Sequence, residues 1–168
     1  LGEAAGNYAD STGVHTGIDT ATTHGAAGQL YGSGAATFNG SSSQITVADA
    51  AALRLTGAMS ITAWAWPANT TEQGYVLSKG DTTGADGYLT YFDGSGDRTR
   101  FFYGATAKVS DAVFTEDAAW VHCGWTVTAG GALAFYHNGA AAGTSTVALT
   151  TNTDDLILGN RTGGTTAA

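Results

Sequence analysis

Strict alternation of side chains between glycine-rich turns is the feature that most limits the fold of this chain. In Met59–Pro67 one face carries Met59 and Ile61, while the other carries Trp64 and Trp66. A repeat of two is the period of a β-strand, and short runs bounded by turn residues are read as strands. The segments predicted as strands are Ala35–Phe38, Gln44–Val47, Met59–Pro67, Tyr75–Ser78, Tyr88–Phe92, Arg98–Tyr103, Trp120–Val127, Leu133–Asn138 and Leu156–Leu158.

Turn signals join several of these strands into hairpins. The hairpin signals are Asp93-Gly94-Ser95-Gly96, Gly130-Gly131 and Asn138-Gly139. Helical periodicity is confined to about one turn, Asp49–Leu53, with Asp49 as the predicted N-cap. Many short strands with tight turns are typical of an all-β sandwich or jelly roll. The core is expected to depend on a few aromatic side chains, which are Phe38, Trp64, Phe92, Phe101, Trp120, Trp125 and Phe135.

The chain is acidic, with 6 Lys and Arg against 14 Asp and Glu and a formal net charge of −8. Its few cations are scattered along the sequence, whereas a phosphate-binding surface needs clustered ones. Nucleic acid is therefore excluded as a partner, and so is an anionic membrane surface. No apolar run approaches about 18 residues, so we expect no membrane insertion. The single cysteine, Cys123, permits no intramolecular disulfide and alternates with apolar residues as a buried strand position does. The acidity also suits an extracellular or surface-exposed protein.

Six further patterns occur in an order that resembles a known family. They are Gly34–Ser43 with Gln44–Val47, Ala52–Gly57 with Met59–Pro67, Val76–Gly80, Ala119–His122, Leu133–Gly139 and Leu156–Arg161. In this order they resemble the laminin-G-like jelly-roll domains of the concanavalin A-like lectin/glucanase superfamily. The resemblance implies a two-sheet antiparallel jelly-roll sandwich, and we expect residues 1–168 to form a single domain of this kind.

The sequence departs from that family pattern at its end. The family usually continues with a strand that lies beside the N-terminal strand and closes the sandwich, whereas this sequence ends at Thr166-Ala167-Ala168. We therefore expect a jelly roll that lacks its own C-terminal closing strand, unless the chain continues further. An open sheet edge is a template for strand addition, so strand pairing in a homo- or hetero-oligomer is an alternative expectation.

Catalytic residues of the related glucan hydrolases are not recognisable. Those relatives carry two carboxylates on one strand, spaced as E-x-D-x-x-E, and a retaining pair needs carboxyls only about 5–5.5 Å apart. The chain has three glutamates, Glu3, Glu72 and Glu116, and none begins such a motif. A G-x-S-x-G nucleophile elbow is also missing. We expect that the chain is not an enzyme.

Two kinds of ligand remain to be considered. The resemblance implies a structural calcium ion where the chain termini meet, with Asp10 as a ligand, although the usual C-terminal acidic partner is missing. Sugars are held by aromatic rings, and the candidate glycan-binding residues, which lie near predicted strand ends close to Asp, Asn and Thr, are Trp66, Tyr75, Tyr88 and Tyr91. The opposing interpretation is that these aromatic side chains belong to the core or its rim.

The function predicted from sequence is a non-catalytic carbohydrate-binding or adhesion module of an extracellular or surface-exposed protein. Its expected partners are glycans or other protein chains. The alternative is a structural subunit or decoration module of a viral or cell-surface assembly, with its sheet completed by another chain. A glycoside hydrolase is the third hypothesis, and it lacks its carboxylates.

Overall fold

Thirteen strands and one short 3-10 turn make up the described part of the chain. The computed structural model describes residues 3–30, 34–68, 73–81, 86–94, 98–103, 106–110 and 118–161. The strands are β1 Gly17–Thr20, β2 Thr23–Ala27, β3 Gly34–Thr37, β4 Gln44–Val47, β5 Met59–Ala65, β6 Gly74–Lys79, β7 Tyr88–Asp93, β8 Arg98–Tyr103, β9 Thr106–Val109, β10 Val121–Val127, β11 Ala132–His137, β12 Ala140–Thr146 and β13 Leu156–Leu158. No helix among the described residues is long and apolar enough to cross a bilayer.

The strands form two large antiparallel sheets and one small one. The seven-stranded sheet has the order β1-β4-β13-β6-β7-β8-β9, and the four-stranded sheet has the order β12-β11-β10-β5. Strands β2 and β3 pair with each other. The predicted all-β antiparallel jelly roll is confirmed. The predicted absence of a closing strand concerns residues 162–168, which lie outside the described residues, and the assignment of residues 1–168 to one domain stays a prediction.

Every predicted strand is present, and β1, β2, β9 and β12 are additional. The predicted hairpin at Asn138-Gly139 joins β11 to β12, and both residues have positive φ, 48° and 80°. Two successive left-handed residues form the type I′ turn that matches the twist of the flanking strands. The hairpin at Gly130-Gly131 joins β10 to β11. Residues 95–97 of the third predicted turn lie outside the described residues, although β7 and β8 pair on either side of it.

The core lies between the seven-stranded and four-stranded sheets. Trp125 of β10 and Phe135 of β11 face each other in register and are almost fully buried. Phe92 and Phe101, from the opposite sheet, belong to the same buried cluster. Four of the seven aromatic residues predicted for the core therefore occupy it. Trp64 is exposed instead, and Phe38 and Trp120 are half-buried.

The predicted N-cap role of Asp49 is wrong. The 3-10 turn Ala51–Leu53 starts after Ala50, which makes no side-chain capping bond. The Asp49 carboxylate instead forms ion pairs with two cations, Arg54 and the buried Lys79. Nζ of Lys79 lies 2.6 Å from Oδ1 of Asp49. These partners, Arg54 first, lower the pKa of Asp49 to about 2. The carboxylate thus links the turn to β6 because a buried ammonium needs a counter-charge.

One buried hydrogen bond connects the two large sheets. Oγ1 of Thr99 on β8 lies 2.8 Å from Nε2 of His137 on β11. Both residues are buried, so no water replaces either partner if the other is removed. Leaving a buried polar atom unpaired costs its full desolvation penalty. The bond therefore fixes how β8 and β11 lie across the core.

A polar network holds the N-terminal strands. His24 on β2 stacks on Tyr8, with ring centroids 4.8 Å apart and planes 5° from parallel. Its Nδ1 lies 3.0 Å from the carbonyl oxygen of Glu3, and its Nε2 lies 3.1 Å from Oδ2 of Asp19. Both ring nitrogens face groups that only accept hydrogen bonds, so the doubly protonated imidazolium satisfies both. The hydrogen bond to Asp19 is the main cause of a raised pKa for His24.

The inter-sheet bond is tested by Thr99→Val, which keeps the side-chain shape and removes the hydroxyl. We expect a loss of about 1–3 kcal/mol in the free energy of unfolding, measured by urea denaturation, because His137 Nε2 loses its partner. The matched change Thr146→Val, on the exposed side of β12, should stay within about 0.5 kcal/mol of the parent. Equal effects of the two changes would show that the bond does not stabilise the fold.

The His24 network predicts a pH dependence of stability. The unfolded chain binds this proton with a pKa near the ordinary value of about 6.5, and the folded chain holds it to higher pH. The stabilisation is therefore complete below about pH 6.5 and is lost as pH rises through the raised pKa. We expect the free energy of unfolding to fall over that interval, and His24→Gln to remove the fall while His15→Gln keeps it. An NMR titration that gives His24 a pKa at or below the ordinary value contradicts this account.

Candidate functional site

The four-stranded sheet exposes aromatic side chains on its outer face. Met59 of β5 is buried toward the core, so the alternating residues Trp64 and Trp66 point the other way. Trp64 is 40% exposed and Trp66 is 52% exposed. The expectation that Trp64 belongs to the core is wrong, because the inward positions of β5 are already filled by the set that includes Met59.

Each of these tryptophans is paired with a ring from the neighbouring strand. Trp64 lies directly opposite His122 in the β5–β10 register, with ring centroids 5.1 Å apart. Trp66 meets Trp120 edge to face, at 5.7 Å. The ladder continues past the strand ends, since the amide of Ala118 donates to the carbonyl of Pro67 at 3.0 Å. The backbone pairing of β5 and β10 therefore positions both ring pairs.

A glycine extends the surface beyond these pairs. Gly124 lies between Thr62 and Tyr136 in register, on the same outer face as His122. A methyl group added at Gly124 would lie 3.4 Å from Cβ of Tyr136 and 3.8 Å from Cγ2 of Thr62. Gly124 is itself buried, because the side chains of Tyr136 and Thr62 lie beside it and cover it. We call the surface formed by these rings the aromatic platform. It consists of Trp64, Trp66, Trp120, His122 and Tyr136.

Hydroxyl groups surround the aromatic platform on the same face of the sheet. The outward positions of β5, β10 and β12 carry Ser60, Thr62, Thr126 and Thr144, of which all but Thr126 are exposed. Indole faces offer apolar stacking area, and hydroxyls donate and accept hydrogen bonds. The platform contains no carboxylate, thiol or aliphatic hydroxyl of its own. Such a surface offers both stacking area and hydrogen-bonding groups to a ligand.

The predicted glycan-binding residue Tyr88 is buried in the main core. Only 5% of its surface is exposed, and its hydroxyl donates to the carbonyl oxygen of Leu53 at 2.9 Å. Burial raises its pKa to about 12. The ring therefore packs between the sheets, where a sugar has no access in this structure.

Tyr75 and Tyr91 form a second cluster, on the other face of the seven-stranded sheet. They are 6% and 4% exposed, with ring centroids 5.5 Å apart. The guanidinium of Arg161 lies 5.6 Å from the centre of the Tyr75 ring, within the range of a cation–π contact. Burial is the main cause of the raised pKa of both tyrosines. Of the four aromatic residues predicted to bind glycans, Trp66 alone has an open ring, and their roles stay predictions.

Asp10, the predicted calcium ligand, organises its own loop. Its carboxylate accepts the amide protons of Thr12, at 3.1 Å, and of His15, at 3.3 Å, as well as the hydroxyl of Thr12. The Thr12 hydroxyl is the main cause of its lowered pKa. Within the described ranges, no three His, Cys, Asp or Glu side chains lie close enough to hold a metal ion. The role of Asp10 as a calcium ligand stays a prediction.

Sequence reasoning found Trp66 and missed its neighbours. The alternation in Met59–Pro67 already placed Trp64 and Trp66 on one face. The apolar character of the opposite face, from Met59 onward, was the signal that both point to solvent. The partners Trp120, His122 and Tyr136 depend on strand register, which the sequence specifies only through the sheet as a whole.

One family model matches most of the chain. It describes the concanavalin A-like lectin/glucanases superfamily and covers residues 39–168. That range includes the complete aromatic platform. A comparison with curated protein sequences gave no significant match.

Several solved structures share the fold. Domain 4 of AbnA, a GH43 extracellular arabinanase from Geobacillus stearothermophilus, in complex with arabinotriose, is 21% identical over 99% of this chain and 89% of that chain, with a TM-score of 0.64. The botulinum neurotoxin serotype G binding domain is 17% identical over 89% of this chain and 40% of that chain, with a TM-score of 0.60. A heptameric SAP-like pentraxin from Limulus polyphemus is 16% identical over 73% of this chain and 67% of that chain, with a TM-score of 0.51. At these identities the likeness establishes the fold.

The contrast in burial separates structural aromatic residues from surface ones. We expect Tyr88→Ala to lower the free energy of unfolding by about 3–5 kcal/mol, as truncation of a buried aromatic residue does, whereas Trp66→Ala should cost less than about 1 kcal/mol. Urea denaturation of the two variants measures both values. A Trp66→Ala variant as unstable as Tyr88→Ala would mean that Trp66 supports the fold rather than a binding surface.

Proposed function

Because the chain belongs to the concanavalin A-like lectin/glucanase superfamily, we propose that it is a non-catalytic carbohydrate-binding module. The observation that carries this proposal is the aromatic platform, with Trp64 and Trp66 open to solvent on the outer face of the sheet. Exposed apolar surface that is contiguous and rimmed by polar residues marks interaction sites in soluble proteins. Sugar rings offer matching apolar faces and a rim of hydroxyls.

The rigidity of the aromatic platform supports this role. Trp64 and His122 sit opposite each other on two hydrogen-bonded strands, so little conformational freedom is lost when a ligand stacks on them. A preorganised surface binds more tightly because fewer side chains must be ordered. At the start of β10, the amide of His122 also donates to Oδ1 of Asn138, at 2.9 Å. The type I′ turn that contains Asn138 therefore fixes the strand beneath the platform.

The likeness to a sugar-bound domain gives the proposal a starting ligand. Domain 4 of AbnA is a domain of an arabinanase and was solved with arabinotriose. It resembles this chain over nearly the whole length of both. Arabino-oligosaccharides are therefore the first compounds to test, beside other soluble polysaccharides.

The non-catalytic part of the proposal rests on the chemistry of the aromatic platform. Hydrolysis of a glycosidic bond uses two carboxyl groups flanking that bond. The aromatic platform contains no carboxyl group, so it offers no pair of this kind. Glu72 and Glu116 lie outside the described residues, so the proposal also rests on the missing E-x-D-x-x-E pattern in the sequence.

Location and assembly are finer parts of the proposal. A glycan-binding role fits an adhesion module of an extracellular protein, or of one at the surface of a cell or virion. The alternative role, a structural subunit completed by a strand of another chain, would need a free sheet edge. The edge of β1 is partly occupied, since Gly17 pairs with Tyr8 and the amide of Asp19 donates to Oδ1 of Asn7. Strand sharing, at this or another sheet edge, stays a prediction.

Affinity electrophoresis through gels that contain arabinan, glucans, mannans or xylan tests the proposed function. We expect retardation of the parent chain in at least one gel, and a loss of about 2 kcal/mol or more, roughly 30-fold, for Trp64→Ala or Trp66→Ala, as for a central aromatic contact. Val14→Ala, at an exposed apolar residue elsewhere, should bind as the parent does. Retardation on no polysaccharide in a broad panel would overturn the proposal.

A further inference from the structure

The four-stranded sheet carries no charged residue. Strands β5, β10, β11 and β12 contain no Asp, Glu, Lys or Arg, although the whole chain has 20 such residues, 6 basic and 14 acidic. The seven-stranded sheet is different, since its strands include Asp19, Lys79, Asp93, Arg100 and Lys108. The strands beneath the aromatic platform thus contribute no Asp, Glu, Lys or Arg, although the protein is acidic.

A neutral surface restricts the ligand. Carboxylated and sulfated polysaccharides are recognised through Arg and Lys, which form charge-assisted hydrogen bonds with the anionic groups. The platform sheet offers none of these cations, and the net charge of −8 repels a polyanion at long range. An uncharged ligand needs no cations and is not repelled by the net negative charge. Its hydroxyls can form hydrogen bonds with those of Ser60, Thr62 and Thr126.

The arrangement of the rings restricts the shape of the ligand. Alternate residues of a strand lie about 6.8 Å apart, so Trp66 and Trp64 follow one another at this spacing along β5. The next step along the same line holds Thr62, beside Gly124 and Tyr136. The line from Trp66 to Thr62 therefore runs for about 14 Å along the outer face of the sheet. One sugar unit is too short to contact its whole length.

We infer that the aromatic platform binds an extended, uncharged polysaccharide chain that lies along β5 and β10. The rings of Trp66 and Trp64 stack on sugar units at different positions of the same chain. The hydroxyls of Ser60, Thr62 and Thr126 bind the hydroxyl groups of the chain beside the two indoles. This inference rests on the proposed carbohydrate-binding function and adds to it the ligand class and the direction of the bound chain.

Opposite charges introduced at Thr62 test the neutrality of the ligand. Thr62 is exposed on the edge strand β5, so Thr62→Lys, Thr62→Glu and Thr62→Gln are expected to fold with thermal midpoints near that of the parent. For a neutral polysaccharide identified in the gel panel, the Lys and Glu variants should weaken binding by the same factor within about threefold, because neither charge has a partner on the ligand. The same three changes at Thr146, on the exposed side of β12, serve as the control and should leave binding unchanged.

Salt and chain length complete the experiment, with isothermal titration calorimetry as the measurement. Binding to the neutral ligand should change less than about twofold between about 50 and about 500 mM NaCl, since no charges are paired. Affinity should rise more than about tenfold from the monosaccharide to the tetrasaccharide as further units reach the second indole. Polygalacturonate and dextran sulfate, used as anionic probes, should not bind.

The outcomes separate the inference from the proposed function. Tighter binding by Thr62→Lys with weaker binding by Thr62→Glu, or binding of the anionic probes alone, would overturn the neutral ligand and leave carbohydrate binding intact. Equal affinity for monosaccharide and tetrasaccharide would overturn the extended chain. If both Trp64→Ala and Thr62→Glu still bind a neutral polysaccharide as the parent does, the binding site lies elsewhere on the protein, and the inference is overturned. Binding of no carbohydrate at all would refute the proposed function itself.

Discussion

Burial of one face of the four-stranded sheet is the constraint on which the rest of the molecule depends. Trp125 and Phe135 oppose each other in register and are almost completely removed from water. Burying a large apolar side chain contributes roughly 1.5–3 kcal/mol, so a register slip that exposed these residues would be strongly opposed. A slip of one residue would also bring Trp64 and His122 inward and turn the whole core set outward. The outer face, and with it the aromatic platform, is therefore fixed by packing that takes place on the opposite side of the sheet.

Folding alone does not account for two open indoles on that outer face. Thr62, two positions before Trp64 on the same strand, satisfies the same backbone geometry with a polar side chain. Contiguous exposed apolar groups favour self-association, and a net charge of −8 borne by other parts of the chain opposes it. Tyr88 shows the opposite arrangement, since its ring is buried in the core and its hydroxyl donates to the carbonyl oxygen of Leu53. Exposure, rather than aromatic character, distinguishes the residues available to a ligand from those that hold the sheets together.

The sequence predicted the features that depend on local pattern. Alternation gave the strand positions and the partition of β5 into two faces, and Asn138-Gly139 gave a turn whose geometry follows from two residues that tolerate positive φ. Strand β1 escaped prediction because Gly17–Thr20 has little apolar alternation and is held by distant partners, Tyr8 and β4. Tyr75 and Tyr91 escaped for another reason. Strand β7, which carries Tyr91, is buried on both faces, and Tyr75 pairs with Tyr91 from β6, whereas a sandwich strand is ordinarily expected to leave one face open to water. The placement of Trp64 in the core came from its size, although the period of the strand already pointed it outward.

The division of charge between the two sheets connects the fold to its ligand. Charged side chains in the seven-stranded sheet find partners, as Arg100 does with Asp93 and Lys79 with Asp49. Had such pairs lain on the platform, a ligand would have had to displace water from ions, which is costly unless new partners replace it. A surface of rings and hydroxyls loses its water at little cost, yet each stacking contact on it is individually weak. Useful affinity then requires several contacts made by one ligand, because contacts after the first are intramolecular and lose little further freedom. A polymer with repeated, uncharged units meets that requirement, and a single small sugar does not.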